Sequence, residues 1–121
     1  MTYESTLSVP SSTIPGVVLT VRRVSVARRI ELLRKLRDLT KRVEFYQAGA
    51  QLDDKLEASI ASSEVESLYI TWGVTVIEGL SIDGIEATPE ALIERGPESL
   101  AREAATLVRS QLGLSEEERK N

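Results

Sequence analysis

Apolar and polar positions alternate along Val17–Val24: Val17, Leu19 and Val21 share one side, and Val18, Thr20 and Arg22 the other. Period two carried by β-branched residues predicts a strand. A lone strand leaves its backbone groups unsatisfied, so this one must pair with the N-terminal segment, with a later hairpin or with another subunit. Upstream, residues 1–16 are rich in Ser and Thr and are punctuated by Pro10 and Pro15. They read as a flexible arm, with a short strand at Thr6–Val9.

The period changes after Ser25, a suitable N-cap, and predicts a long helix from Val26 to about Gln47. Leu32, Leu36, Leu39, Val43 and Tyr46 follow 4-3-4-3 spacing along one stripe, which Ile30 and Leu33 widen. Gly49 is the expected stop. A second helix starts near Leu52–Asp53, with Leu56 and Ile60 as its inner face. Ser62-Ser63-Glu64 is expected to break it and to cap a third helix, whose stripe is Val65, Leu68, Tyr69, Trp72 and Val76. Trp72 is the expected core anchor of that helix.

The segment Ile77–Ala87 reads as a small hairpin about the Asp83-Gly84 turn. Thr88-Pro89-Glu90 supplies an N-cap, an N1 proline and a first-turn acid for a short helix ending at Gly96. Pro97-Glu98 opens another, with Leu100, Ala104, Leu107, Val108 and Leu112 apolar and Gly113-Leu114 as a Schellman-type stop. Ser115-Glu116-Glu117-Glu118 is a capping box that opens a helix the chain does not finish, so residues 115–121 form a tail that either frays or continues beyond Asn121. The expected fold is therefore α+β and mostly α: an N-terminal strand followed by a helical domain, residues 17–114, containing a small β-hairpin.

With 121 residues, one such domain can bury a modest core without staples. The chain has no Cys and no His, which removes disulfides, thiolate chemistry, the commonest metal ligand and the commonest general base. No apolar run reaches the roughly 18 residues needed to span a bilayer. Met1-Thr2-Tyr3-Glu4 lacks the basic flank and apolar stretch of a signal peptide, so a cytoplasmic location is expected.

The net charge of −4 is unevenly distributed. Residues 17–46 hold nine basic residues (Arg22, Arg23, Arg28, Arg29, Arg34, Lys35, Arg37, Lys41, Arg42) against Glu31, Asp38 and Glu44, a net of +6. The remainder carries −10. Such segregation favours association with copies of itself or with a charged partner.

Catalytic constellations are not legible. Asp53-Asp54 is better read as an acid pair at a helix N-terminus than as a metal pair. Gly79 and Gly84 suit turns rather than a phosphate loop. The many Ser residues have neither a His nor a Ser-x-x-Lys pattern to activate them. No cofactor is expected. The basic helix raises a nucleic-acid reading, but aromatic residues make up only 4% of the chain, so a stacking platform is lacking. A solvated face or a protein interface accounts for it better.

Several stretches together resemble a known family. They are Leu68-Tyr69-Ile70-Thr71-Trp72-Gly73, Ile77-Glu78-Gly79-Leu80-Ser81-Ile82-Asp83-Gly84, Ala87-Thr88-Pro89-Glu90, Glu94-Arg95-Gly96-Pro97-Glu98 and Leu114–Asn121. In the first half are Pro15-Gly16-Val17, Val21-Arg22-Arg23 and Arg28-Arg29-Ile30-Glu31-Leu32. From Pro15 onward the chain resembles small proteins encoded in the tail modules of tailed phages and prophages, of the tail assembly chaperone type.

The resemblance implies a mostly helical, self-associating, non-enzymatic protein that coats the long tape measure protein before the tail tube polymerises around it. Many such proteins also have a frameshifted longer form. The expected partners are the tape measure protein and further copies of this chain; nucleic acid and membrane are not expected. The residues expected at the contact are the stripe Leu32, Leu36, Leu39 and Val43 with Arg28, Arg29, Arg34 and Arg37. The alternative for that stripe is burial within the subunit. The rival functions are a structural protein of the tail or head–tail connector, and a nucleic-acid-binding regulator using the basic helix.

Overall fold

In the computed structural model, which describes residues 1–113, the strand expected from the alternating segment is the centre of a sheet. This strand, β2 (Val18–Arg22), pairs antiparallel on one side with β1 (Thr6–Pro10), in the register Thr6↔Arg22 to Pro10↔Val18. The stretch expected as a flexible arm thus supplies an edge strand. On its other side β2 pairs antiparallel with β3 (Val74–Glu78). Both rows of β2 backbone groups are satisfied within the subunit, so its pairing needs no second copy.

The register of β2 and β3 shifts between Thr20 and Val21, so that Thr20 faces Val76 and Val21 faces Val74. Thr75 is the extra residue of this bulge, and its hydroxyl donates to the Thr20 carbonyl at 3.2 Å. A bulge lets two inward side chains stand three residues apart. Val74 and Ile77 are both buried, while Thr75 and Val76 face outward. Val76, expected on a helix stripe, is therefore an exposed strand residue, and Ile77–Glu78 belongs to this sheet rather than to the small hairpin.

Between β2 and β3 run two 22-residue helices, α1 (Val26–Gln47) and α2 (Leu52–Gly73). The Ser25 hydroxyl caps α1, accepting from the Arg28 N–H at 3.2 Å. Gly49 ends α1 without adopting the left-handed conformation; its N–H donates to the Tyr46 carbonyl at 3.1 Å. The lack of a Cβ there leaves room for Asp54, whose carboxylate accepts from the Gln51 N–H at 3.3 Å. Asp54 is thus a capping residue of α2.

The helix α2 runs unbroken through Ser62-Ser63-Glu64, where the sequence predicted a break. Serine is only mildly unfavourable inside a helix, and all three positions are exposed, so nothing there competes with the helical bonds. The helix passes directly into β3 at Gly73-Val74. Gly73 is buried against Val108, and a Cβ would collide with that side chain.

After β3, the two-residue strands β4 (Ser81–Ile82) and β5 (Ile85–Glu86) flank Asp83 and Gly84, which have φ of 52° and 82°. Positive φ at both positions is the turn that the Asp-Gly pair favours. The Asp83 carboxylate meets Arg95 at 2.7 Å, which ties the turn to α3 (Pro89–Arg95). The Thr88 hydroxyl caps α3, accepting from Ala91 N–H at 3.1 Å. The last described helix, α4 (Glu98–Ser110), lies against α2 and β2. The architecture is mixed α+β and mostly helical: two strands open the chain, two long helices follow, and three further strands precede the last two described helices.

The core gathers Leu19 and Val21 from β2, Leu32 from α1, Ile70 from α2, Leu100 and Val108 from α4. Each such side chain contributes about 1.5–3 kcal/mol relative to exposure. Trp72 joins them at 8% exposure, as its place on the stripe predicted. Gly113 adopts the left-handed conformation expected of a helix stop, with φ of 70°. Leu114, the Ser115 capping box and the tail 115–121 lie outside the described residues.

The loop between β1 and β2 is latched to α4 through Glu103. Its carboxylate accepts from the Ser11 hydroxyl at 2.6 Å, the Ser12 N–H at 2.7 Å and the Ser12 hydroxyl at 2.8 Å. Partial burial pushes the Glu103 carboxyl upward, but these bonds to the charged form outweigh it and hold the group down at about 2 instead of the usual 4.5. A folded-state value below the unfolded one gives stability that is fully present above pH 4.5 and is lost as pH falls towards 2. Acid titration of the thermal midpoint should therefore show a decline across that window, and Glu103→Gln should flatten it. An unchanged slope in the variant would show that the latch contributes nothing.

Candidate binding surface on the helical hairpin

The helices α1 and α2 form an antiparallel hairpin closed by residues 48–51. Leu32 and Leu36 on α1 are buried, and Leu39, Val43 and Tyr46 are half-buried. The inner face of α2 is Ala58, Ala61 and Val65. Small side chains let two helices approach closely, and here they occupy the positions that larger residues would otherwise hold apart.

The seam corrects the sequence reading of α2. Leu56 and Ile60, expected on the inner face, are 54% and 49% exposed, and Leu52 is 70% exposed. Spaced four residues apart, the three form one stripe on the side of α2 opposite Ala58 and Ala61. At the same end of the hairpin Phe45 is 72% exposed and meets Tyr46 edge-on, with ring centroids 5.1 Å apart. Between Arg37 and Glu57 no residue is fully buried. The far half of the hairpin thus presents large apolar side chains while contributing little to the core.

A groove of about 580 Å³ runs between α1, α2 and α4. Leu33, Leu36, Val43, Val65 and Leu112 give it an apolar floor, and Arg37, Glu44, Glu66 and Arg109 carry charges along it.

The residues expected at the contact divide into three groups. Leu32 is a core residue and offers no surface to a partner, the commoner fate of an apolar stripe, whereas Leu36 packs in the core and shows only its edge at the groove floor. Arg28 and Arg29 are engaged inside the subunit. Arg28 donates to the Ser5 carbonyl at 2.7 Å and the Arg23 carbonyl at 3.0 Å, closing the root of α1 on the sheet. Arg29 donates to the Leu112 carbonyl at 2.7 Å, at the C-terminal end of α4, where a cation is favoured.

Arg34 and Arg37 are exposed, and Leu39 and Val43 are half-buried beside them. Of these four, Arg37 and Val43 line the groove. The sequence reading missed Leu52, Leu56, Ile60 and Phe45 as surface residues. The signal lay in the seven-residue interval Ala58–Val65, an inner face half hidden by its small side chains.

Exposed cations continue along α1 as Lys35, Lys41 and Arg42. Arg42 reaches Glu64 on α2 at 3.3 Å, and Arg37 stands 3.9 Å from Asp38. Pairs this exposed contribute about 0–1 kcal/mol, so the charge of α1 is available for recognition rather than spent on stability.

Among the described residues no group of three or more His, Cys, Asp or Glu is placed to hold a metal ion, and no helix is long and apolar enough to cross a membrane. Compared with protein-family models, with curated proteins and with solved structures, the chain gives no match to any of the three.

The division between core and surface is measurable. Leu32→Ala should cost about 2–5 kcal/mol in denaturant unfolding, because it leaves a cavity in the core. Leu56→Ser should stay within about 0.5 kcal/mol of the parent. Equal losses at the two positions would place Leu56 in the core and remove the exposed stripe.

Proposed function

We propose that the protein is a non-enzymatic binding protein that keeps a long helical partner soluble, as a tail assembly chaperone does for the tape measure protein. The observation that carries this reading is the far half of the hairpin, where Leu52, Leu56 and Ile60 on α2 and Phe45 on α1 stand exposed. The resemblance of the chain to tail-module proteins gives the partner its identity.

A helical partner with its own apolar stripe would aggregate if left exposed. An amphipathic helix laid along the hairpin covers that stripe, with anchors three, four and seven residues apart. Arg34, Arg37 and Lys41 are exposed on α1 to meet acidic positions on the partner. Each contact is small, and many copies along one partner gain avidity from their neighbours. The segregation of +6 and −10 between two portions of the chain favours contact from copy to copy. The working compartment in this reading is the host-cell cytoplasm.

Co-expression with the tape measure protein of the same genome should move that partner into the soluble fraction, in a complex with many copies per chain. Leu56→Glu combined with Ile60→Glu alters only exposed positions, so the fold should persist while the soluble yield drops. Charge reversal at Arg34 and Arg37 should lower the yield further at low salt than at high salt. A partner that stays insoluble with the unaltered protein in excess, together with retention of the protein in finished particles, would make it a structural virion protein instead.

A further inference from the structure

At the sheet end of the hairpin, away from the surface just described, β2 ends in Arg22. A shallow depression of about 240 Å³ lies there, lined by Arg22, Glu31, Lys35, Leu68, Thr71 and Trp72. The Arg22 guanidinium carbon stands over the Trp72 ring, 5.7 Å from its centroid. At this distance the ring face attracts the cation and holds it at the depression.

Two donors at this place lack an acceptor. The Arg22 Nε and the Trp72 Nε1 are both buried and make no hydrogen bond. Among the described residues the Arg22 side chain has no carboxylate partner, although Glu31 borders the same depression. Buried N–H groups are costly to leave unmatched, and native structures almost always match them. Lys35 adds a second cation on the rim.

We infer that the Arg22–Trp72–Lys35 depression is a receptor for a carboxylate. A carboxylate is planar, accepts on two oxygens, and fits the fork of a guanidinium in a two-point contact. Such a ligand gives the remaining N–H groups of the Arg22 guanidinium an acceptor and, together with Glu31, balances the two cations. It comes either as a free small carboxylate or as an Asp or Glu side chain of a bound protein segment. The site does not rest on the chaperone reading, since it shares no lining residue with the groove.

Trp72 is the only tryptophan, so its emission reports on this site alone. The full chain is titrated at constant ionic strength with acetate, with inorganic phosphate, and with a blocked helical peptide carrying one central Glu; the same peptide with Gln is the control. A saturable change with acetate, with the Glu peptide, or with both is the expected result, and the pattern identifies the source of the carboxylate. Arg22→Gln should weaken that binding about tenfold or more, the scale of one charge-assisted hydrogen bond.

Arg22→Lys, which keeps the charge and loses the planar fork, should weaken it as well. Lys35→Gln should weaken it, and Glu31→Gln should tighten it, because Glu31 is the like charge on the rim. Lys35 and Glu31 are exposed, so these two variants decide the matter even where a change at Arg22 disturbs the fold. The inference is overturned by the absence of any saturable change, by a response to phosphate alone, by an equal response to the Gln peptide, or by unaltered affinity in the Lys35 and Glu31 variants.

Discussion

The pairing of β2 on both edges fixes the rest of the molecule. The chain leaves β2 at Arg22 and enters α1 at Val26; it leaves α2 at Gly73 and enters β3 at once. Because β3 returns to pair with β2, the two roots of the helical hairpin are stitched together by strand hydrogen bonds. Arg28 adds a side-chain clamp from the first turn of α1 to the Ser5 and Arg23 carbonyls. With its root held this way, the hairpin needs no support at its far end. That freedom allows large apolar residues to remain on the surface there without unfolding the domain.

The legible parts of the fold were those set by local rules. Alternation at Val17–Val21 marked β2, the Ser25 and Thr88 hydroxyls marked two helix starts, and Asp83-Gly84 marked the turn. What escaped were features set by packing between distant segments. The continuity of α2 through Ser62-Ser63 depends on its flanks being held, on one side by α1 and on the other by α4. The strand at Val74–Glu78 carried a β-branched run, Val74-Thr75-Val76-Ile77, but its bulge breaks strict alternation and mimics a helical stripe continuing from Trp72. The inner face of α2 was read from the largest apolar residues, whereas close approach of two helices selects the smallest.

The candidate site was legible in its charge and illegible in its geometry. The basic run of α1 was plain, yet its members have different tasks. Arg28 and Arg29 satisfy carbonyls of the same subunit, Arg42 spans the hairpin seam to Glu64, and Arg34, Lys35 and Lys41 remain directed to solvent. No spacing rule separates these roles, because each depends on what the fold brings opposite the side chain. Arg22 is the extreme case: it follows an ordinary strand pattern, and only the arrival of Trp72 beside it, fifty residues later in the chain, places its guanidinium over an aromatic ring.

Stability is therefore distributed along the hairpin in a gradient. Near the sheet, Leu32, Leu36, Tyr69, Ile70 and Trp72 are buried, and opening there requires breaking the core. From Arg37 to Glu57 no side chain is fully buried, and the helical turns rest on their own hydrogen bonds and on the narrow seam with the partner helix. Segments with few buried contacts open at free energies well below that of global unfolding. In the function proposed above, such a surface would adjust its helix spacing to unlike apolar ridges along a long partner, while the sheet keeps each copy folded. Rigidity at the root and compliance at the tip follow from one topological fact: the strands that close the hairpin are next to each other, while among the described residues none from Arg37 to Glu57 is fully buried.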